Sequence, residues 1–460
     1  MTQYDVAFIG SGHASWHAAV ALKQAGKSVV LIEKDLIAGT CTNYGCDAKI
    51  LLDGPAELLA RVANYQDVGL AADIQLDWPR FMAYKHRVID ALPNQMTNLF
   101  TKMGIDIIHG KGILMGSHSI QVGKQRITAT NIVLGTGQQS RFLPVMGKEY
   151  LHDSRDFLDL PTLPKRMTFI GAGVISFEFA ALVSQFGTEV TILQHDARAA
   201  KSFNQVHVQK LLTRLAEQGV TVRFNETVKR VKRLTKEDQV ITESGLIIPT
   251  DYVVDATGRE ANVTGIGLEN AGIHSSAAGI EVDDHLRANG ANIYASGDVL
   301  AKQVPKLTPT AIFESNYIAQ QILGSTAPIA YPAIPQVLFS LPRLAQVGIT
   351  IDEANAAPDG YQQHTIAFGQ LMAYGYQNEP DADLRVVLNN QNQLVGAAVY
   401  GMDAPDLINA LVMIIDQRLT ATDLQRMIFA FPTPIQGVLD TLLPFLVQHD
   451  EIPAMATMEA

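Results

Sequence analysis

Residues 4–35 read YDVAFIGSGHASWHAAVALKQAGKSVVLIEKD. An apolar run rich in strand formers leads into a glycine turn at Gly10 and Gly12, helical periodicity follows, and a second apolar run ends on Glu33. That order is a βαβ unit. It returns at residues 166–196, RMTFIGAGVISFEFAALVSQFGTEVTILQHD, so the chain carries an internal duplication about 160 residues apart.

Outward from the two units, Pro161 and Pro164 mark a linker before the second. Beyond about residue 333 the pattern changes. AQVGIT, LRVVLNN and LVGAAVYG read as antiparallel strands, followed by helical APDLINALVMIIDQRL and the proline-broken FAFPTPIQGVLDTLL. Dinucleotide-binding domains are expected at residues 1–150 and 151–262, a return segment to the first at 263–332, and a C-terminal domain at 333–460. A length of 460 residues fits about three folded units.

Hydrophobic residues at 47% and charged residues at 18% describe an ordinary globular chain with no disordered tract. The formal net charge of -11 offers no basic face, which argues against nucleic acid and anionic membrane as partners. No apolar span of about 18 residues occurs, and MTQYDVAFIG enters a strand directly with no signal-like core. A cytoplasmic location is expected.

In Gly10-x-Gly12-x-x-Ser15 the first two glycines let the backbone approach a pyrophosphate on the helix N-terminus, and small Ser15 still permits close helix–strand packing. Glu33, about 20 residues on, is placed to accept from a ribose hydroxyl. The second fingerprint, Gly171-x-Gly173-x-x-Ser176, ends differently. Gln194 stands where an acid would hold a free ribose, and His195, Asp196, Arg198 and Lys201 follow. Cations there suit a 2′-phosphate, so NADPH is expected over NADH.

The stretch GTCTNYGCDAK, residues 39–49, holds the two cysteines of the chain, Cys41 and Cys46. Zinc needs about four ligands and no second Cys/His cluster is evident, while a structural disulfide is unusual in the cytoplasm. A catalytic dithiol fits better, its thiolates favoured by the N-terminus of the helix expected at KILLDGPAELLARV. No metal ligand set is expected.

Together with VLGTGQQSRFLP, DATGREAN, NIYASGDVLAKQVPKLTPTAIFES and FSLPRLAQVGIT, these motifs make the chain resemble, over essentially its whole length, the class I pyridine nucleotide-disulfide oxidoreductases. That is the family of glutathione reductase, dihydrolipoamide dehydrogenase and mercuric reductase. The resemblance implies an α/β fold with two Rossmann-like dinucleotide-binding domains plus a C-terminal α+β dimerisation domain, FAD as cofactor, and a homodimer. It places FAD against Gly10, Gly12, His13, Ala14, Glu33, Lys34, Gly39 and Thr40, with Gly112, Gly137, Gly258, Asp298, Leu307 and Thr308 completing that side. The nicotinamide cofactor falls against Gly171, Gly173, Val174 and Ile175, besides His195, Arg198 and Lys201. Cys46 becomes the thiol against the flavin and Cys41 the interchange thiol facing the acceptor. Lys49 and Glu178 become an ion pair near the flavin, although the stretch after Cys46 lacks the family's proline and many relatives carry the lysine one residue later, at Ile50.

The pattern breaks at Phe431-Pro432-Thr433-Pro434-Ile435-Gln436. Disulfide reductases carry a histidine at the position of Phe431 and its orienting glutamate at that of Gln436, supplied across the dimer interface. Phenylalanine shuttles no proton. His152, His195, His207 and His449 lie outside the motifs and read as surface residues. Mercuric reductase also lacks the histidine, but the tail QHDEIPAMATMEA has no cysteine pair, only Met455 and Met458. The expected activity is a flavin-dependent NAD(P)H oxidoreductase acting on a small-molecule acceptor: a disulfide, or alternatively a metal ion or quinone. A redox-sensing flavoprotein with little turnover is the third reading.

Overall fold

The computed structural model describes residues 2–70, 74, 76–235 and 237–447. His449, Met455 and Met458, singled out in the tail, lie outside the described residues.

The first βαβ unit is formed by β1 (Thr2–Ile9), α1 (His13–Gln24) and β2 (Val29–Glu33). Val6, Ala7 and Phe8 are fully buried, which is why β1 reads as a continuous apolar run: helices or loops cover both faces of a central parallel strand. Around it lie β3 (Asp106–His109), β4 (Gly112–Gly116), β5 (Ser119–Val122) and β6 (Gln125–Leu134), in the order β3-β2-β1-β6-β5-β4. The strand Ile293–Ala295 adds to β6 in parallel, so the chain returns to this sheet after its excursion through the second.

The second sheet pairs Arg166–Ile170, Glu189–Leu193, Val220–Arg223 and Tyr252–Asp255, all parallel. A three-stranded antiparallel ribbon, Val228–Arg233, Asp238–Thr242 and Ile247–Thr250, is inserted before its last strand. The third sheet is antiparallel and five-stranded, with Gln336–Leu338, Leu344–Gly348, Leu394–Tyr400, Asp383–Asn389 and Tyr361–Ile366 in that spatial order. The helix Ala404–Gln417 buries Leu407, Ile408, Leu411 and Ile414 against it, at about 1.5–3 kcal/mol for each such side chain.

One expectation fails here. His207 is 1% exposed, not a surface residue, because the helix Gln205–Glu217 packs against the third sheet and its ring bonds Asp383. Sequence periodicity shows that a helix face is covered, not that a second domain covers it.

Candidate active site

β1 and β2 both end at one edge of the first sheet, and the chain leaving them forms the wall of a cavity of about 700 Å³. Gly10 turns there with φ +104, and a Cβ on it would lie 2.3 Å from the Gly135 carbonyl oxygen, so only glycine fits. Ser11 donates its backbone N–H (2.9 Å) and its hydroxyl (2.7 Å) to Glu33 Oε2. The buried carboxylate thus ties the glycine loop to the end of β2.

The cavity is lined by Gly10, Gly12, His13, Ala14, Glu33, Lys34, Gly39 and Thr40, with Cys41, Cys46, Gly112, Gly137, Asp298, Leu307 and Thr308 on its other sides. Gly258 stands behind this wall, accepting a hydrogen bond from Arg141 N at 3.1 Å, while its neighbour Arg259 lines the space. The fit to a flavin dinucleotide rests on a glycine-walled helix N-terminus, a buried acid at the end of β2 and a second acid opposite. Asp298 presents a carboxylate with no hydrogen-bond partner among the described residues, and the Lys306 ammonium contributes attraction beside it. Gly297, at φ +77, brings that acid within reach by packing against Ala14, where any Cβ would sit 2.6 Å from the alanine methyl.

The two cysteines occupy different helices, α2 (Gly39–Tyr44) and α3 (Cys46–Ala63). α3 starts at Cys46 itself, earlier than the sequence suggested, so the helix N-terminus favours one thiolate and not both. The Cys46 thiol is pushed down to about 6, chiefly by a hydrogen bond from Cys41, helped by Thr308 and by the charge of Lys49 against the opposing effect of burial. Thr308 Oγ1 lies 3.6 Å from Cys46 Sγ. Cys41 moves the other way: donating to Cys46 and its own burial push its thiol up.

Lys49, one turn along α3, pairs with Glu178 at 3.0 Å, and Glu178 also accepts from Phe339 N at 2.9 Å. The Lys49 ammonium stands 4.0 Å over the Phe339 ring. Lys49 is thus an anchored cation, 18% exposed, that joins the dithiol helix to the second and third sheets.

The remaining expected residues form a separate place. Gly171 follows the strand Arg166–Ile170, Gly173 caps the helix Val174–Ser184, and Val174 and Ile175 open it. Gln194 occupies the place Glu33 has in the first unit, its Oε1 accepting from Ala172 N at 2.8 Å. The cations beyond it are engaged within the protein. Lys201 pairs with Asp196, Arg198 pairs with Asp352 at 3.0 Å, and exposed His195 lies 3.2 Å from Asp196.

Sequence reasoning missed Arg155 and Lys306. Arg155 lines the cavity mouth, 3.5 Å over the Tyr44 ring and 3.0 Å from Asp35, from a helix that no local signal connects to the site. Lys306 immediately precedes Leu307 in a stretch already singled out, so its charge was available to be read.

The fold and site define a two-dinucleotide flavoprotein with a dithiol beside the flavin cavity. The profile described as Pyridine nucleotide-disulphide oxidoreductase matches residues 4–315, and that of the dimerisation domain of the same family matches residues 334–438. The chain belongs to the class I pyridine nucleotide-disulfide oxidoreductase family. It is 30% identical to a dihydrolipoyl dehydrogenase of Chlamydia pneumoniae, over 94% of this chain and 95% of that one. A mercuric reductase of Staphylococcus aureus is 28% identical over 96% of this chain and 82% of its own. Among solved structures, the HOCl-induced flavoprotein disulfide reductase RclA of Escherichia coli superposes with TM-score 0.86 at 26% identity, covering 96% of this chain and 99% of that one. Its Cu(II) complex superposes equally well, at TM-score 0.86, covering 95% and 98%. The chain is accordingly an FAD-dependent NAD(P)H oxidoreductase of the disulfide reductase type. No helix among the described residues is long and apolar enough to cross a membrane.

Proposed function

We propose that this chain couples NADPH oxidation to reduction of a small disulfide through Cys41 and Cys46, as a homodimer in the cytoplasm. The observation that carries it is the polarised thiol pair lining the cavity, with Cys46 held as thiolate and Cys41 kept protonated beside it. Bound FAD supplies the conversion of hydride from the nicotinamide into electrons for a disulfide.

The residues of the chain then divide the work. Glu33 and Asp298 hold the dinucleotide, and Lys49, anchored by Glu178, stabilises negative charge at Cys46. In the reduced pair, the Cys46 thiolate accepts the Cys41 proton as the Cys41 sulfur attacks one sulfur of the acceptor disulfide, forming a mixed disulfide and expelling a thiolate that takes this proton from Cys46. Cys46 attacks Cys41 in turn, releasing the second thiolate and restoring the Cys41–Cys46 disulfide. The single proton of the reduced pair thus leaves on the first product, and the second departs as a thiolate. NADPH is favoured because Gln194 puts an amide where the first unit has the Glu33 carboxylate, and Arg198 and Lys201, paired with Asp352 and Asp196, stand nearby.

A metal ion is the second reading of the acceptor, on one observation: Phe431 and Gln436 provide no acid for a departing thiolate, Gln436 being bonded to Asp440. RclA, which forms a Cu(II) complex, is a structural relative. Steady-state oxidation of NADPH and of NADH with small disulfides, Cu(II) and quinones tests both readings. Fast disulfide turnover lost in Cys41→Ser supports the first. Turnover confined to Cu(II) discards it for the second.

A further inference from the structure

On α1 the side chains of His13 and His17 are four residues apart and share a face. His13 Nδ1 and His17 Nε2 lie 3.1 Å apart. The two rings share a hydrogen bond, and metal–nitrogen bonds of about 2.0–2.1 Å at angles of ~90–109° place two ligand nitrogens about 2.9–3.4 Å apart, so an ion replaces the shared proton with little change in their separation. Trp16 fixes it: its ring stacks on His17 at 3.5 Å and packs against Phe100 at 6.1 Å. The His13 ring also lines the dithiol cavity, with Cys41 and Cys46, and feels the charge of Asp47.

We infer that His13 and His17 supply two nitrogen ligands, with water completing the shell, for one borderline divalent transition-metal ion of the Zn(II) or Cu(II) class, beside the dithiol cavity that His13 lines. Imidazole is a preferred ligand of these ions. Asp47 supplies compensating negative charge near the open side. The His13 ring is turned along α1 toward His17, so the backbone at the helix start remains free for a pyrophosphate.

The test is Zn(II) binding to the FAD-loaded enzyme with its dithiol oxidised, read by competition with a chromophoric chelator. Zinc takes no electron, so the result is independent of which acceptor the enzyme reduces. One zinc per chain is expected, weakened at least about tenfold in His17→Gln, with no change in His86→Gln, an exposed histidine on another helix. Equal binding by His17→Gln and the unaltered enzyme overturns the site. If His17→Gln does not fold, one equivalent of Cu(II) added to the unaltered oxidised enzyme decides. Nitrogen couplings from two imidazoles in its electron paramagnetic resonance spectrum support the pair, and their absence refutes it.

Discussion

Cys46 and Cys41 are chemically alike in sequence and opposite in the folded chain. The S–H of Cys41 is the largest influence lowering Cys46, so the two form one acid–base unit in which the first keeps its proton and the second releases it. Cys46 is anionic above about pH 6 and becomes protonated as the pH falls through that value. Thiolate absorbance of the reduced enzyme should titrate with a midpoint near 6, and Cys41→Ala should move that midpoint upward by removing the hydrogen bond. A midpoint that stays put in Cys41→Ala would show that the helix N-terminus and Lys49 do the work alone. Lys49 operates at the same scale: without its partner Glu178 the ammonium loses its anchor over Phe339.

Among the elements, the glycine turn after β1 and the helix Gln205–Glu217 carry the two clearest consequences. The protein should purify yellow with about one FAD per chain. Gly10→Ala should purify without flavin, because its Cβ would collide with the Gly135 carbonyl oxygen 2.3 Å away; absorbance and cofactor extraction measure this. Bound flavin at the unaltered stoichiometry in Gly10→Ala would mean that the turn tolerates another conformation. On the helix, His207 is buried and bonded to Asp383, which also pairs with Lys210. Burial lowers the imidazole against the opposing pull of Asp383, so a neutral ring donates to the carboxylate. His207→Ala should cost about 3 kcal/mol by leaving part of a buried carboxylate unpaired, seen as a lower Tm of the holoenzyme. An unchanged Tm would place the stability of this joint elsewhere.

For the whole molecule, the C-terminal unit exposes Met372, Ile428 and Phe431, at 91%, 100% and 77%, within a domain that the family uses for dimerisation. Large apolar groups left open in this way mark an interface. Light scattering at micromolar concentration should report a dimer, and a monomer would contradict the assignment. The missing dyad has its effect at this scale, because the family supplies it across that interface. Reduction by NADPH should proceed at ordinary rates, while turnover with oxidised glutathione or lipoamide should be lower by a factor on the order of 10² or more. Phe431→His alone should recover little, since Gln436 offers no carboxylate to orient the ring. Phe431→His with Gln436→Glu should recover more than the two single changes add up to. Turnover of a small disulfide by the unaltered enzyme at hundreds per second, roughly the upper part of the usual enzyme range, would show that another group supplies the proton.

The sequence by itself determined the two βαβ units, the antiparallel C-terminal sheet and the pair of cysteines. Each of these is local: glycine spacing, periodicity and the identity of single residues act within a few turns of chain. Tertiary structure decided what depends on groups far apart in the chain. Cys46 differs from Cys41 because the Cys41 thiol donates to it and because Lys49, anchored by Glu178 from 129 residues away, faces it. His207 is internal because another domain covers it, and Arg198 is ion-paired because Asp352, 154 residues on, meets it. Burial and charge pairing are set by every group within a few ångströms, and sequence order does not encode those distances.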